Sequence, residues 1–228
     1  MKKQALVAAL GLIAPVIVGT GSVFADSANT NVTANFTVPT INNDNPQPNN
    51  PAGSSPGTSD DNTNLPLNPT GNFALAYVPN NLNFGDIELG SSGAKKVDIS
   101  LAPGDTLNVG VKDTMHDTNG WNLTASFSGA LASNGVTIST TASTAKLNDG
   151  GVLKSLPDES MISVNSNFTV NSSDSTVMTG VQGHNFAGTY DLDLGTVSLN
   201  IPDVSAISAG QTNGLITWNL SQTPQNHG

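Results

Sequence analysis

The amino-acid sequence predicts an all-β fold: a single β-sandwich, or an Ig-like or barrel-like domain, built from many short strands. Three observations support this prediction. From Asn72 onward, short runs of alternating apolar residues recur between turn sequences rich in Gly, Asn, Asp and Pro. Glycine and β-branched residues are dense, and no stretch keeps a helical 3.6-residue apolar period for three turns. Many short strands separated by turns are typical of sandwiches and barrels.

The predicted strands follow one another along residues 71–228, which we expect to form one folded domain. In chain order the runs read "FALAYV", "KVDISLA", "TLNVGVK", "WNLTASF", "VTISTT", "MISVNSNFTV", "TYDLDLGTVSLNI" and "LITWNL". Two further stretches, "LNDGG" (residues 147–151) and "DSTVM" (residues 174–178), are interpreted as turns. A domain of this size buries roughly 70% of the surface of its unfolded chain, so it can fold without covalent staples.

Residues 1–25 have the features of a secretory signal peptide. Lys2 and Lys3 give the segment a positive start, residues 5–20 are almost all apolar, and a small-x-small cleavage pattern ends at Ala25. The apolar run is interrupted by glycine and proline and is short for a transmembrane helix. We therefore expect cleavage after Ala25 and a secreted product.

Two segments lie between the signal peptide and the predicted domain, residues 26–38 and residues 39–70. The first contains an alternating run, residues 30–38, that predicts an N-terminal strand. The apolar residues of this alternation are Val32, Ala34, Phe36 and Val38. The second segment is rich in Pro, Asn and Ser, a composition that cannot build a core, so we expect a disordered, partly polyproline-like spacer.

The charge and cysteine content exclude several functional classes. The chain has 7 basic and 17 acidic residues, a formal net charge of −10, and no arginine. Binding to nucleic acid or anionic lipid by charge needs clustered Lys and Arg, so neither is expected as a partner. There is no cysteine, which excludes disulfides and attachment through a lipidated cysteine. We expect any retention on a cell surface to be non-covalent.

The two tryptophans of the chain occur in the same tripeptide, Trp-Asn-Leu. Trp121 and Leu123 lie in "GWNLTASF", and Trp218 and Leu220 lie in "ITWNLSQ". Because side chains two positions apart share a face of a strand, each motif places its Trp and Leu together on the apolar face of an alternating strand.

These motifs resemble the WxL domain of Gram-positive surface proteins. In the first motif, "DTNGWNLTASF", Asp117 and Gly120 precede Trp121; the second, "ITWNLSQTP", is followed shortly by proline. The start of the domain, "FALAYVPNNLNFGDIEL", is also similar to that of the family, with a Tyr-Val-Pro step that leads to a Phe-Gly pair. The resemblance covers residues 30–221, and the two motifs occur in the expected order.

The resemblance implies a small WxL protein that is secreted and held non-covalently on the cell wall, with peptidoglycan as ligand. It also implies assembly with other WxL proteins and with a membrane-anchored, peptidoglycan-binding partner. An alternative is a structural or adhesive subunit whose main contacts are partner WxL proteins or a host matrix. No cofactor is implied.

The residues themselves leave two roles open for the motif tryptophans. One hypothesis is that Trp121 and Trp218 form an exposed platform that stacks on the sugars of a glycan. The other is that both are buried anchors of the core, because a sandwich needs large apolar side chains on its inner faces. In the second case the ligand would bind elsewhere, in the loops.

Catalytic and metal sites have little support in the sequence. Wall hydrolysis needs paired carboxylates, an activated nucleophile or a metal, and no such motif is present, so the chain is not expected to be an enzyme. A metal could be ligated by Asp113, His116 and Asp117. The better interpretation is that these are ordinary polar residues of a turn. Asp191 and Asp193 share one side of a strand and are interpreted as a solvated face. The sequence leaves open whether the oxygen-rich loops bind calcium, and no calcium-binding motif occurs.

Overall fold

Short antiparallel strands make up almost all the regular structure of this computed structural model, which describes residues 30–53 and 62–223. The strands are β1 (Phe73–Tyr77), β2 (Lys95–Asp98), β3 (Asn108–Asp113), β4 (Gly120–Ser128), β5 (Thr137–Thr140), β6 (Lys146–Asp149), β7 (Val152–Lys154), β8 (Ile162–Val164), β9 (Thr169–Val170), β10 (Ser175–Gly180), β11 (Gly188–Asp193), β12 (Val197–Ile201) and β13 (Leu215–Thr223). One short helix, α1 (Ala130–Ser133), follows β4, and two single 3₁₀ turns span Glu159–Met161 and Val204–Ala206. Within the described residues, no helix has the length and apolar character needed to cross a membrane.

The strands form three antiparallel sheets. One has the order β1-β3-β11-β6-β7, the second β13-β4-β10-β8, and the third β2-β12-β5-β9. Most of the buried apolar residues of these sheets form one core cluster. The predicted fold class, all-β with many short strands, is therefore confirmed.

Strand β10 corrects the interpretation of "DSTVM" as a turn. Four of these five residues lie in β10, which pairs with β4 on one side and with β8 on the other. The register shifts between Thr176 and Met178, so that Val177 and Met178 are both buried. A bulge of this kind breaks the two-residue alternation by which a strand is recognised in sequence, so the sequence pattern does not indicate this strand.

The "LNDGG" stretch combines strand and turn. Its first three residues belong to β6, and the turn to β7 consists of Gly150 and Gly151. Both glycines have positive φ, +60° and +90°, a conformation that residues with a side chain rarely adopt. The turn is thus confirmed at the two glycines, and the residues before them extend the sheet.

The N-terminal strand predicted in residues 26–38 is not formed in the described part, residues 30–38. Val32 is 87% exposed and Phe36 is 92% exposed. Alternation makes a strand only where another strand supplies hydrogen bonds, and none of the pairings in the described chain involves this segment. The predicted signal peptide, residues 1–25, lies outside the described residues.

The segment predicted to be a disordered spacer differs from that expectation where the structure describes it. Its backbone is irregular, but it packs on the domain: the amide of Ala52 donates to the carbonyl of Thr106 at 3.0 Å. The carbonyl of Asn50 accepts from the amide of Thr106 at 2.8 Å. Ala52 and Asn64 are both buried. Residues 54–61 lie outside the described residues.

Lys112 of β3 also binds the segment that precedes β1. Its ammonium group donates to the carbonyl of Asn42 at 2.6 Å and to the side-chain oxygen of Asn45 at 3.1 Å. Burial lowers the pKa of Lys112, and the nearby charge of Asp44 opposes that change. A composition rich in Asn supplies many hydrogen-bonding groups, so a segment without a core of its own can be ordered by polar contacts to a neighbouring sheet.

Candidate functional site

The two Trp-Asn-Leu motifs lie on neighbouring strands of one sheet. β13 pairs antiparallel with β4, with Leu220 opposite Leu123 and Trp218 opposite Ala125, while Trp121 faces Gln222. Residues directly opposite each other in an antiparallel pair point to the same face. The motifs therefore contribute to one apolar face, with the two leucines adjacent and the tryptophans displaced in opposite directions along the strands.

Trp121 is a core residue. It is fully buried, and its ring packs against Phe186 and Tyr190 at centroid distances of 6.0 and 6.2 Å. The indole also lies so close to Gly180 on β10 that a Cβ atom at that position would collide with it. The indole nitrogen has no hydrogen-bond partner among the described residues. Leu123 is fully buried as well, so this motif anchors the fold and is not available to a ligand.

Trp218 occupies a different position. β13 is the outer strand of its sheet, and both Trp218 and Leu220 are only partly buried. Trp218 and Ile216 form part of the wall of a groove of about 1260 Å³. The second tryptophan is thus the one that an external molecule can reach.

The groove lies between β13 and two irregular segments. One runs from Pro79 to Leu89 and the other covers residues 207–214. The floor is apolar and includes Phe127 of β4 and Leu199 of β12. Further apolar residues that line it are Leu82, Phe84, Ile87, Leu131, Ile138, Ile201 and Ile207.

The polar groups of the groove are mainly neutral amides and hydroxyls. They belong to Asn80, Asn81, Asn83, Ser208, Gln211, Thr212 and Asn213. The side-chain oxygen of Asn83 accepts from the amide of Gly85 at 2.9 Å, and that of Asn80 accepts from the amide of Leu65. Both side-chain oxygens are therefore engaged within the described residues, whereas an amide nitrogen is a hydrogen-bond donor. Of the described residues that line the groove, Asp86 is the only one with an ionisable side chain.

Asp191 is not part of a solvated face, as the sequence suggested, but of a buried polar network. Its carboxylate accepts from the Tyr77 hydroxyl at 2.7 Å and from the Asn108 amide at 2.9 Å. Burial raises the pKa of Asp191 to about 6, against the opposing effect of these hydrogen bonds. Asp193 is only partly buried, so the two carboxylates do not form a catalytic pair. The prediction failed because β11 lies inside its sheet and is covered on both faces.

The loop with Asp113, His116 and Asp117 is a structural turn. Asp117 accepts from the backbone and side-chain amides of Asn119, at 3.0 and 2.8 Å, just before β4 begins. Asp113 is buried; one oxygen accepts from the amide of Met115 at 3.2 Å, and the other has no partner in the part of the chain described. Burial raises the pKa of Asp113 to about 6. Residues 30–53 and 62–223 contain no group of three or more His, Cys, Asp or Glu side chains arranged to hold a metal ion.

The fold is an all-β domain with a groove whose lining is largely apolar and almost uncharged. A protein-family model described as "WxL domain surface cell wall-binding" matches residues 24–224. The chain therefore belongs to the WxL domain family of cell wall-binding surface proteins, as its two motifs predicted. A comparison with curated proteins gives no match.

The residues that complete the groove could not all be found from sequence. The sequence indicates residues 79–89 only as the start of the domain, and it gives no signal for residues 207–214. A signal is present in the first: Leu82, Phe84, Ile87 and Leu89 are spaced two or three residues apart, and all are partly buried against the core. Turn residues between them, Asn83, Gly85 and Asp86, interrupt the alternation, so the spacing indicates an irregular strap over an apolar surface rather than a regular strand.

Proposed function

We propose that the protein is a secreted, non-enzymatic surface protein that attaches non-covalently to peptidoglycan through the groove beside Trp218. The observation that carries this proposal is the position of Trp218: it is the partly exposed tryptophan, and it lines the large groove. Membership of a cell wall-binding family supplies the class of ligand.

The chemistry of the groove suits a neutral carbohydrate. Sugar rings have apolar C–H faces that pack on aromatic rings, and hydroxyl and acetamido groups that bond to amides. Small-molecule sites in general combine apolar walls with a few polar groups that fix orientation, and here Trp218 and Phe84 accompany Asn80 and Asn83. Binding need not rely on charge, which agrees with a net charge of −10.

The ionisable content of the groove supports binding without hydrolysis. Glycoside hydrolysis uses two carboxyl groups on either side of the scissile bond. Only Asp86 among the described lining residues carries a carboxyl group. We therefore expect no release of soluble wall fragments when the protein is incubated with peptidoglycan.

Secretion and wall partners are part of the proposal. The sequence of residues 1–25 supports export with cleavage after Ala25. Assembly with other WxL proteins and with a membrane-anchored, peptidoglycan-binding partner is the part of the proposal that rests on the resemblance of the two motifs alone. The alternative is a structural or adhesive subunit, in which partner WxL proteins or a host matrix provide the main contacts.

A sedimentation assay with purified, protein-free peptidoglycan tests the proposal. We expect saturable binding that survives moderate salt. Trp218→Ala should lose binding although it stays folded, with a melting temperature lowered by only a few degrees. The matched control is Val152→Ala, which removes an exposed apolar side chain from β7 in another sheet and should bind normally. Binding only to walls that retain their proteins would instead support the adhesive alternative.

A further inference from the structure

β13 is an unusually unprotected edge strand. It has nine residues, whereas the other five edge strands of the three sheets have two to five. In the described part of the chain it pairs only with β4, without a register shift along its whole length. Its sequence, "LITWNLSQT", contains no charged residue and no proline. Edge strands normally carry charges, prolines or bulges because their free backbone groups otherwise pair with another strand.

The chain also contains an unpaired strand sequence, residues 30–38. Its alternation puts four apolar residues on one face and Thr33, Asn35 and Thr37 on the other. Val32 and Phe36 are almost fully exposed. Two side chains of this size are not normally left in solvent side by side without a partner.

We propose that residues 30–38 of one copy of the chain add as a strand to the free edge of β13 in a second copy. In the single chain both remain without a strand partner among the described residues, so a second molecule can supply what each lacks. Both consist of nine residues, which corresponds to about 30 Å of paired backbone. Both are also uncharged, so they can meet although each copy as a whole is strongly acidic.

The two faces of the strands match. On β13, Ile216, Trp218 and Leu220 form the apolar face and are partly buried, while Thr217 and Asn219 are exposed. A strand added in register continues each face, so the apolar residues of the donor segment would extend the surface beside Trp218. Its Thr and Asn residues would lie on the exposed face.

Donor and acceptor are different surfaces, and each copy has one of each. Such a head-to-tail contact leaves a free donor and a free acceptor at the ends, so the assembly grows beyond a dimer unless it closes into a ring. The symmetric alternative, β13 paired with β13 of a second copy, stops at a dimer and leaves residues 30–38 unpaired. This inference goes beyond wall binding and does not depend on it.

Sedimentation velocity of residues 26–228, over a wide concentration range, tests the proposal. We expect the mean mass to rise with concentration beyond that of a dimer. Ala34→Asp combined with Phe36→Asp should abolish the rise because it places charges on the apolar face of the donor. The matched control, Asn35→Asp combined with Thr37→Asp, adds the same charge to the polar face and should assemble. A parent protein that stays monomeric, or two double variants that behave alike, would overturn the proposal.

The acceptor is located by a second pair of variants. Ile216→Lys adds a charge to the apolar face of β13 and should abolish assembly, whereas Val152→Lys adds one to β7, the edge of another sheet, and should not. A synthetic peptide of residues 30–38 should dissociate the parent assembly, and the same peptide with Asp at positions 34 and 36 should not. Assembly that stops at a dimer and persists in the Ala34→Asp, Phe36→Asp variant would instead establish symmetric β13 pairing.

Discussion

Trp121 and Trp218 share a tripeptide, a sheet and a face, yet their surroundings differ. Trp121 lies on β4, which has a neighbouring strand on each side, and aromatic rings and Gly180 enclose its indole. Trp218 lies on β13, which has a neighbour on one side, and its indole borders a groove. The difference comes from the place of each strand in the sheet and not from the local sequence.

This difference suggests a division of labour between the two motifs. The first fixes the core, and the second presents the same kind of apolar pair at an edge where a ligand or another strand can reach it. The two hypotheses drawn from the sequence, core anchor and exposed platform, therefore describe different tryptophans: the core position of Trp121 is observed, and the platform role of Trp218 is proposed.

The largest expected effect comes from removing each tryptophan in turn. Trp121→Ala should reduce the free energy of unfolding by about 3–5 kcal/mol, because it leaves a large cavity in the core. Trp218→Ala should cost about 1–2 kcal/mol, since a partly buried side chain on an edge strand loses fewer contacts. Urea denaturation of the two variants under the same conditions provides the measurement. Equal losses of stability would contradict the division of labour.

A smaller effect is expected from Gly180→Ala, which tests how tightly Trp121 is enclosed. The added methyl group would collide with the indole, and overpacking of this kind costs about 1–3 kcal/mol. Gly71→Ala is the control, because a Cβ atom there makes only ordinary contacts. Combined with Trp121→Phe, whose smaller ring makes room, Gly180→Ala should cost less than it does alone. Additive losses would show that the indole is not what Gly180 accommodates.

The alternation in the sequence predicted which face each motif residue occupies, but not how deeply it is buried. The period of two determines sides, and the observed register keeps Trp121, Leu123, Trp218 and Leu220 on one face. Depth depends on the number of neighbouring strands, which is a property of the topology. Asp191 shows the same limit, because its alternating strand is covered on both faces by residues distant in sequence.

The ordered part of the segment before β1 could not be predicted for a related reason. The segment is polar and rich in proline, so it has no hydrophobic pattern that would indicate where it packs on the domain. What orders it is a set of individual hydrogen bonds, such as that between the Lys112 ammonium group and the Asn42 carbonyl. Contacts of this kind depend on distances between residues far apart in sequence, which composition does not contain.

A moderate effect is expected in the pH dependence of the free energy of unfolding, and it arises from Asp113 in the core near Trp121. Asp113 interacts electrostatically with Tyr190, which packs against Trp121. Burial raises the pKa of Asp113 from 3.8 to about 6, so the folded state holds its proton more tightly than the unfolded state. The resulting stabilisation is complete below about pH 4 and is lost as the pH rises through 6. Asp113→Asn should therefore be more stable than the parent protein at pH 7.5 and lose less stability between pH 4.5 and pH 7.5.

Urea midpoints at pH 4.5, 6 and 7.5 measure this effect. A residual slope is expected in Asp113→Asn, because burial also raises the pKa of Asp191 to about 6. Asp149→Asn is the control: that carboxylate is exposed and pairs with Lys154 at the surface, so the parent slope should be retained. A slope that Asp113→Asn leaves unchanged would show that Asp113 is not protonated preferentially in the folded state.

The smallest effect is expected in the iodide quenching of tryptophan fluorescence, measured in variants that each retain one tryptophan. Of the substitutions discussed, these Trp→Phe changes should perturb the fold least. Trp218→Phe leaves the enclosed Trp121 as the only indole, so its emission should be blue-shifted and resistant to iodide. Trp121→Phe leaves Trp218, whose emission should be red-shifted and quenched. Peptidoglycan should protect Trp218 from iodide if the ligand enters the groove, and the peptide of residues 30–38 should do the same if it adds to β13. Quenching of Trp218 that neither molecule changes would place both contacts away from the second motif.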